Sequence, residues 1–328
     1  MQSILKSREL LLAVLIVIMT ALIGLVAPKF IAPGNLLSVY TDTSILIILA
    51  LGQMLVILTR CIDLSVAANL AMTGMVMAMM NHSYPDLPVF VLVLAGCLLG
   101  LLLGMVNGLL VWKLGIPAIV VTLGTMSIYR GAIFLFSDGA WVNAHEMSET
   151  FISIPRTAVL GLPILGWTSV IFIALALYFM RYQRLGREIY AVGNNPTAAF
   201  YTGINVGRTQ FIAFSISGLL SGLCGYLWVS RYAVAYVDVA NGFELQVIAA
   251  CVIGGVSIMG GIGTVLGCVL GALFLGVINN ALPVIGVSPF WQMAISGLVI
   301  ILAVIANSRS EKKVGRIILK KAAMNEKQ

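Results

Sequence analysis

The chain is punctuated by apolar runs of about 17 to 25 residues, the length of helix that crosses a hydrocarbon layer at about 1.5 Å per residue. Such runs recur near 10–26, 43–58, 64–80, 88–111 and 117–136, and again near 167–180, 210–229, 244–259, 263–281 and 290–307. So many of them leave no way to fold the chain around one aqueous core. Composition points the same way: of 328 residues, 60% are hydrophobic and 9% charged, where a soluble domain carries about 25% charged residues. The expected fold is an all-α polytopic membrane protein, one transmembrane domain over 1–328 with about ten transmembrane helices. The segments at 43–58, 167–180 and 244–259 are short for a span and are expected to be tilted, broken or partly inserted. Lys6 and Arg8 precede the first run as in a signal peptide, but no small-residue cleavage site follows 10–26, so it reads as an uncleaved first helix.

A net charge of +7 raises the question of nucleic acid, and the placement of the basic residues answers it. With the N-terminus inside, the cytoplasmic segments hold Lys6, Arg8, Arg60, Lys113, Arg181, Arg184, Arg187, Arg208 and all seven basic residues of the tail at 308–328. Only Lys29, Arg130, Arg156 and Arg231 fall on the other side. That is the asymmetry of the positive-inside rule, so both termini are expected in the cytoplasm and no nucleic-acid partner is expected.

The two halves carry a related pattern. Gly104-Met-Val-Asn107 followed by Gly115-Ile-Pro117 matches Gly276-Val-Ile-Asn279 followed by Gly286-Val-Ser-Pro289. With five spans in each half, about 10–136 and about 167–307, two copies would cross the membrane in opposite senses, the inverted-repeat plan of transporters. A match this short between common membrane residues also arises by chance. Two connections are long: a polar one at 137–166, expected to fold over the membrane surface, and a basic one at about 181–209. In the second, Asn195 is placed to cap a short helix with Pro196 at its first position and Ala198 and Ala199 inside it.

Few residues carry chemistry. The five cysteines show no metal-ligand or redox spacing and read as small buried hydrophobes, and His82 and His145 suggest neither metal nor catalysis. Gly263, Gly267 and Gly271 stand at the four-residue spacing that lets helix backbones approach in lipid. The glycine-rich stretch lacks the Lys-Ser/Thr of a phosphate-binding loop, so any ATP would be hydrolysed by another chain. Asp63, beside Ser65, either caps the helix that follows or lines a solute pathway, and Glu244, at the outer start of a helix, has the same two readings. Gln53, Asn69, Asn107, Thr122 and Thr125 are uncharged polar groups in apolar helices, suited to interhelical hydrogen bonds or to a hydroxyl-rich solute. No cofactor is indicated.

With these residues in view, the chain resembles the permeases of bacterial ABC importers for ribose, xylose, galactose and related sugars. The resemblance runs nearly end to end and rests on Ile62-Asp63-Leu64-Ser65, on Gly186-Arg187 through Tyr190-Ala191 to Gly193, Asn194, Ala198-Ala199 and Gly203-Ile204, and on Gly242-Phe243-Glu244-Leu245 through Gly254-Gly255 to Gly260-Gly261. The family usually has two glycines before Ile-Asp-Leu-Ser, where this chain has Arg60-Cys61, a departure that looks like the rhamnose-importer branch and in part like the branch importing the sugar-derived autoinducer. The stretches 141–145 and 229–236 also look closer to rhamnose permeases, so rhamnose ranks first. The resemblance implies a non-enzymatic transport subunit in the bacterial inner membrane, dimeric with a second permease subunit. Its partners would be a cytoplasmic ATP-binding subunit and a periplasmic sugar-binding protein, and the ATPase would dock on the segment holding Gly193, Asn194, Asn195, Pro196, Ala198, Ala199 and Gly203. A secondary transporter is the rival reading; a membrane-embedded enzyme would need clustered catalytic groups, which the sequence does not offer.

Overall fold

A computed structural model describes residues 2–288 together with 291, 294, 297, 298 and 301. The expected helix at 290–307 and the basic tail at 308–328 therefore lie largely or wholly outside the described residues. Twelve α-helices run through the described part: α1 Gln2–Val26, α2 Pro33–Leu58, α3 Val66–Ser83, α4 Val89–Leu114, α5 Ala118–Ser137, α6 Glu149–Ser153, α7 Ile164–Tyr182, α8 Arg184–Asn194, α9 Pro196–Tyr201, α10 Val206–Tyr232, α11 Phe243–Ile253 and α12 Val265–Val284.

Seven of these, α1, α2, α4, α5, α7, α10 and α12, are long and apolar enough to cross a membrane. Two segments expected as spans are not among them. Asn69, Thr73, Asn81 and His82 dilute the hydropathy of α3, which holds the first three inside the protein and leaves His82 exposed. At 11 residues, α11 rises only about 16 Å. The all-α expectation also needs an amendment: β1 Val142–Asn143 pairs antiparallel with β4 Val234–Ala235, and β2 Ala158–Val159 with β3 Leu162–Pro163. These two short ladders belong to the structure that folds over one end of the bundle, as the polarity of 137–166 predicts.

The helix limits follow local chemistry. Pro33 opens α2 at a position where its missing N–H costs nothing. Gly115, at φ 65°, closes α4 in the left-handed conformation, which a glycine adopts without strain. Asn205 caps α10 by accepting from the Arg208 amide (2.9 Å), and Thr264 caps α12 by accepting from the Gly267 amide (3.0 Å).

Buried along almost its whole length, α2 forms the axis of the bundle, with α7, α10, α11 and α12 packed around it. The most intimate helix pair is α4 with α10. A Cβ at Gly100 would sit 2.4 Å from the Gly218 carbonyl oxygen, one at Gly104 would sit 2.4 Å from that of Phe214, and one at Gly222 would sit 2.4 Å from that of Gly96. The two backbones therefore touch directly, the contact that replaces hydrophobic burial between helices in lipid. The same device joins α11 and α12, where Gly267 abuts the Gly254 carbonyl and Gly271 that of Ala250. Gly263, expected in this row, lies before α12 begins. In contrast, α1 is almost bare on its apolar surface and rests chiefly against α12.

Candidate functional site

Two non-helical stretches interrupt the succession of helices and meet in space. The first interruption, 59–65, separates α2 from α3. It begins at Arg60, whose φ of 66° is left-handed, a conformation costing a residue with a side chain about 1 to 2 kcal/mol. Asp63 is 2% exposed, and its Oδ1 accepts from the Ser65 amide (2.9 Å) and the Ser65 hydroxyl (2.7 Å). Ser65 in turn accepts from Asn107 Nδ2 (2.8 Å). Asp63 thus shapes the entry to α3 from outside the helix, and Ser65 occupies the cap position without a side-chain cap bond.

The rest of this interruption is gripped from every side. The Gln53 carboxamide pairs with the Asp63 backbone, its nitrogen donating to the carbonyl and its oxygen accepting from the amide, each at 3.2 Å. Thr122 Oγ1 donates to the Ile62 carbonyl (3.2 Å) as well as to its own helix at Ala118 (2.9 Å). Gln210 Nε2 donates to the Thr59 carbonyl (3.3 Å). Unbonded backbone polar groups at this depth would be expensive, so irregular chain persists only where side chains satisfy it.

The second interruption, 254–264, separates α11 from α12 and turns through left-handed Gly255, Gly260 and Gly261. It meets the first: the Gly261 amide donates to the Leu58 carbonyl at the end of α2 (3.0 Å).

Both interruptions meet the segment formed by α8 and α9. The buried face of α8 carries Gly186, Ile189, Val192 and Gly193, at helical spacing, and its other face carries Arg184 and Arg187. Within the connection expected at about 181–209, α8 is a helix too short and polar for hydropathy to mark. Its last carbonyls, orphaned as in any helix end, are taken up by Arg60: Nε donates to Gly193 (2.8 Å) and Nη2 to Asn194 (2.9 Å). Tyr190 Oη donates to the Gly263 carbonyl (2.8 Å). At Gly193 the three pieces are in backbone contact, since a Cβ would lie 1.9 Å from the Leu58 oxygen and 2.3 Å from the Gly261 nitrogen. Beyond the junction Asn195 accepts from the Ala198 amide (3.1 Å), with Pro196 at the first position of α9, which is the cap read from the sequence. Ala199 faces inward, Ala198 outward, and Phe200 and Tyr201 stand 67% and 82% exposed. Gly203, at φ 85° with open space around it, ends the turn after α9.

The other polar residues divide. Asn69 Nδ2 donates to the Gly100 carbonyl (3.1 Å), binding α3 to α4, while its buried Oδ1 accepts no hydrogen bond among the described residues; Asn107 Oδ1 is in the same condition. Thr125 bonds within α5, to the Thr122 carbonyl (3.4 Å). Glu244 stands in the first turn of α11, at the opposite end of that helix from the interruption, so it does not join the Asp63 cluster. Its charge acts on Arg130, which the sequence reading did not single out. Arg130 Nη1 donates to the Val237 and Val239 carbonyls (2.7 Å each), and Arg156 grips Ser230 and Arg231 at the end of α10 (2.9 and 2.8 Å).

At this same end the stretches 141–145 and 229–236 prove to be partners. Val142 and Asn143 pair with Ala235 and Val234, and Trp141 stacks on Tyr236 with ring centroids 4.6 Å apart. Nearby the Asn143 amide donates to Glu146 Oε2 (2.7 Å), a bond that holds the Glu146 carboxyl below its ordinary range.

Comparison with known proteins sets this geometry in context. The family described as branched-chain amino acid transport system / permease component matches residues 35–304. A ribose import permease protein of Haemophilus influenzae is 38% identical, covering 89% of this chain and 91% of its own length. An autoinducer 2 import system permease protein of Shigella flexneri is 35% identical, covering 93% and 88%. A ribose import permease protein of Escherichia coli K12 is 37% identical, covering 94% and 95%. No solved structure matches the chain.

Proposed function

Because the chain belongs to the branched-chain amino acid transport system / permease component family, we propose that it is the membrane-spanning subunit of an ATP-driven importer. Its cargo is a monosaccharide or sugar-derived solute, passed across the bacterial inner membrane. It moves the solute without chemistry on it. Cytoplasmic ATP-binding subunits supply the energy, a periplasmic sugar-binding protein delivers the solute, and a second permease subunit, identical or related, completes the pathway.

The observation that carries this reading is the junction at Gly193. A capped, protruding segment is fastened at its root to both interruptions in the bundle, so a partner that moves it must move them. On this reading Gly193 and Asn194 are the root of the coupling segment, and Asn195, Pro196, Ala198, Ala199 and Gly203 shape its docking tip. Phe200 and Tyr201 are the aromatic anchors that meet the ATPase, the residue type that dominates interface energetics.

The solute path runs past Asp63, Asn69, Thr122 and Thr125, with Gln53 holding Asp63 in place and Glu244 nearer the opposite mouth. The unpartnered amide oxygens of Asn69 and Asn107 favour a cargo rich in hydroxyl donors. Two inverted repeats, about 10–136 and 167–307, are favoured by what the matching residues do. Gly104 and Gly276 each permit a close helix approach, Asn107 and Asn279 each donate to a polar side chain across a helix boundary, and Gly115 and Gly286 are both left-handed. The charge asymmetry favours a cytoplasmic location for both termini and the coupling segment.

Among cargoes, Arg60-Cys61 and the paired stretches 141–145 and 229–236 favour rhamnose, whereas the named relatives favour ribose or autoinducer 2. Proteoliposomes holding the permease, its ATPase subunits and the binding protein should accumulate one of these three labelled solutes only with ATP inside the vesicle-equivalent cytoplasm. Accumulation that persists without the ATPase subunits would instead establish a secondary transporter.

A further inference from the structure

Arg60 occupies a backbone geometry that a side chain makes costly, and its guanidinium spans from α2 to the end of α8, 133 residues along the chain. The two carbonyls it binds, Gly193 and Asn194, are the last of α8, where partial negative charge accumulates. Three residues further on, Asp63 sets the entry to α3. One residue before the loop that Arg60 opens, Thr59 is held by Gln210 of α10, and Leu58 two residues before it accepts from Gly261. Arg60 is therefore the side chain common to the coupling segment and to the first interruption, while the Leu58–Gly261 bond passes any displacement to the second.

We infer that Arg60 is a positioning residue for energy coupling: a charged latch that makes the α8–α9 segment and both interruptions move as one body. The inference rests on the importer reading above, and it assigns to one side chain what that reading leaves to the segment as a whole. A glycine at 60 accepts φ 66° without strain, so Arg60→Gly removes the latch while relieving the backbone. Lysine keeps the charge but replaces the planar guanidinium fork with a single nitrogen on a flexible stem, so Arg60→Lys holds the two carbonyls less firmly.

Two measurements test the latch. Backbone hydrogen exchange of the permease alone in nanodiscs should rise about tenfold at 190–195 and 258–264 in Arg60→Gly, with α10 unchanged. In proteoliposomes with ATPase subunits and binding protein, supplied with labelled rhamnose, ribose or autoinducer 2, the ATP hydrolysed per solute imported should rise about fivefold or more. Arg60→Lys should fall between wild type and Arg60→Gly in both, and it stands in for the glycine variant should that one fail to assemble. Exchange and stoichiometry both within about twofold of wild type in the variant measured would overturn the inference. Faster exchange in vesicles where even the wild type shows no ATP-dependent uptake would keep the latch and remove the importer reading.

Discussion

Gly193 has no room for a methyl group, because the Leu58 oxygen and the Gly261 nitrogen already occupy the space a Cβ would take. Both neighbours are backbone, fixed by the hydrogen bond between them, and cannot rotate aside. Gly193→Ala should lower stability by about 1 to 3 kcal/mol, the usual cost of overpacking, read as a lower melting temperature in nanodiscs. Gly203→Ala should cost about 1 to 2 kcal/mol from its left-handed backbone alone, and it should leave the junction intact by hydrogen exchange. Asp63 separates differently. Asp63→Asn retains an oxygen able to accept both Ser65 bonds, whereas Asp63→Ala loses them at about 1.5 to 3 kcal/mol each. If the carboxylate serves transport, Asp63→Asn melts near wild type but imports poorly; full import by that variant would leave Asp63 a purely structural role. Asp63, Asn195 and Pro196 were legible in the sequence because each acts on backbone within three residues. The partners of Arg60, Tyr190 and Gln210 were not, because they lie 133, 73 and 151 residues away along the chain.

At the scale of elements, the association of α4 with α10 depends on Gly100 and Gly104 facing Gly218 and Gly222, with Gly108 against the Phe211 backbone. Gly100→Ala would force backbones apart and should lower the melting temperature, while Gly124→Ala on α5, with open space around it, should leave it unchanged or raise it slightly. The four-residue glycine spacing in α4 is plain in the sequence, although glycines are denser near 254–276. Hydropathy found the seven long helices but trimmed two of them: α2 begins at Pro33 rather than 43 and α7 runs from Ile164 to Tyr182 rather than over 167–180, so neither is short for a span. It also placed α3, whose polar side chains are mostly buried, but it passes over α8, whose polar face looks like loop although Gly186, Ile189 and Gly193 mark a helical stripe. On α9 the two alanines part company: Ala198 is exposed and Ala199 is 4% exposed. Ala198→Asp should leave the melting temperature near wild type and abolish ATP-driven uptake by spoiling the docking tip. Ala199→Asp buries an unpaired carboxylate and should destabilise the segment itself.

For the molecule as a whole, each half contributes a helix to the other's core, with α4 against α10 and α12 against α2. Such mutual packing gives the bundle two interruptions that meet at one end and leaves the arginine-clasped layer of β1, β4 and α6 at the other. The resemblance carried most of the functional reading, since composition and spacing alone specify a polytopic transporter without its energy source. The importer account requires that the α8–α9 segment face the cytoplasm and the β2–β3 hairpin face outward. Sidedness is read directly by an impermeant maleimide, in a Cys97→Ser background because the other four cysteines are buried, with Thr197→Cys reporting α9 and Leu160→Cys the hairpin. The account predicts that intact spheroplasts label position 160 alone and that inverted vesicles label position 197. Labelling of position 197 from outside intact spheroplasts would place the segment beyond the reach of any cytoplasmic ATPase and contradict the account.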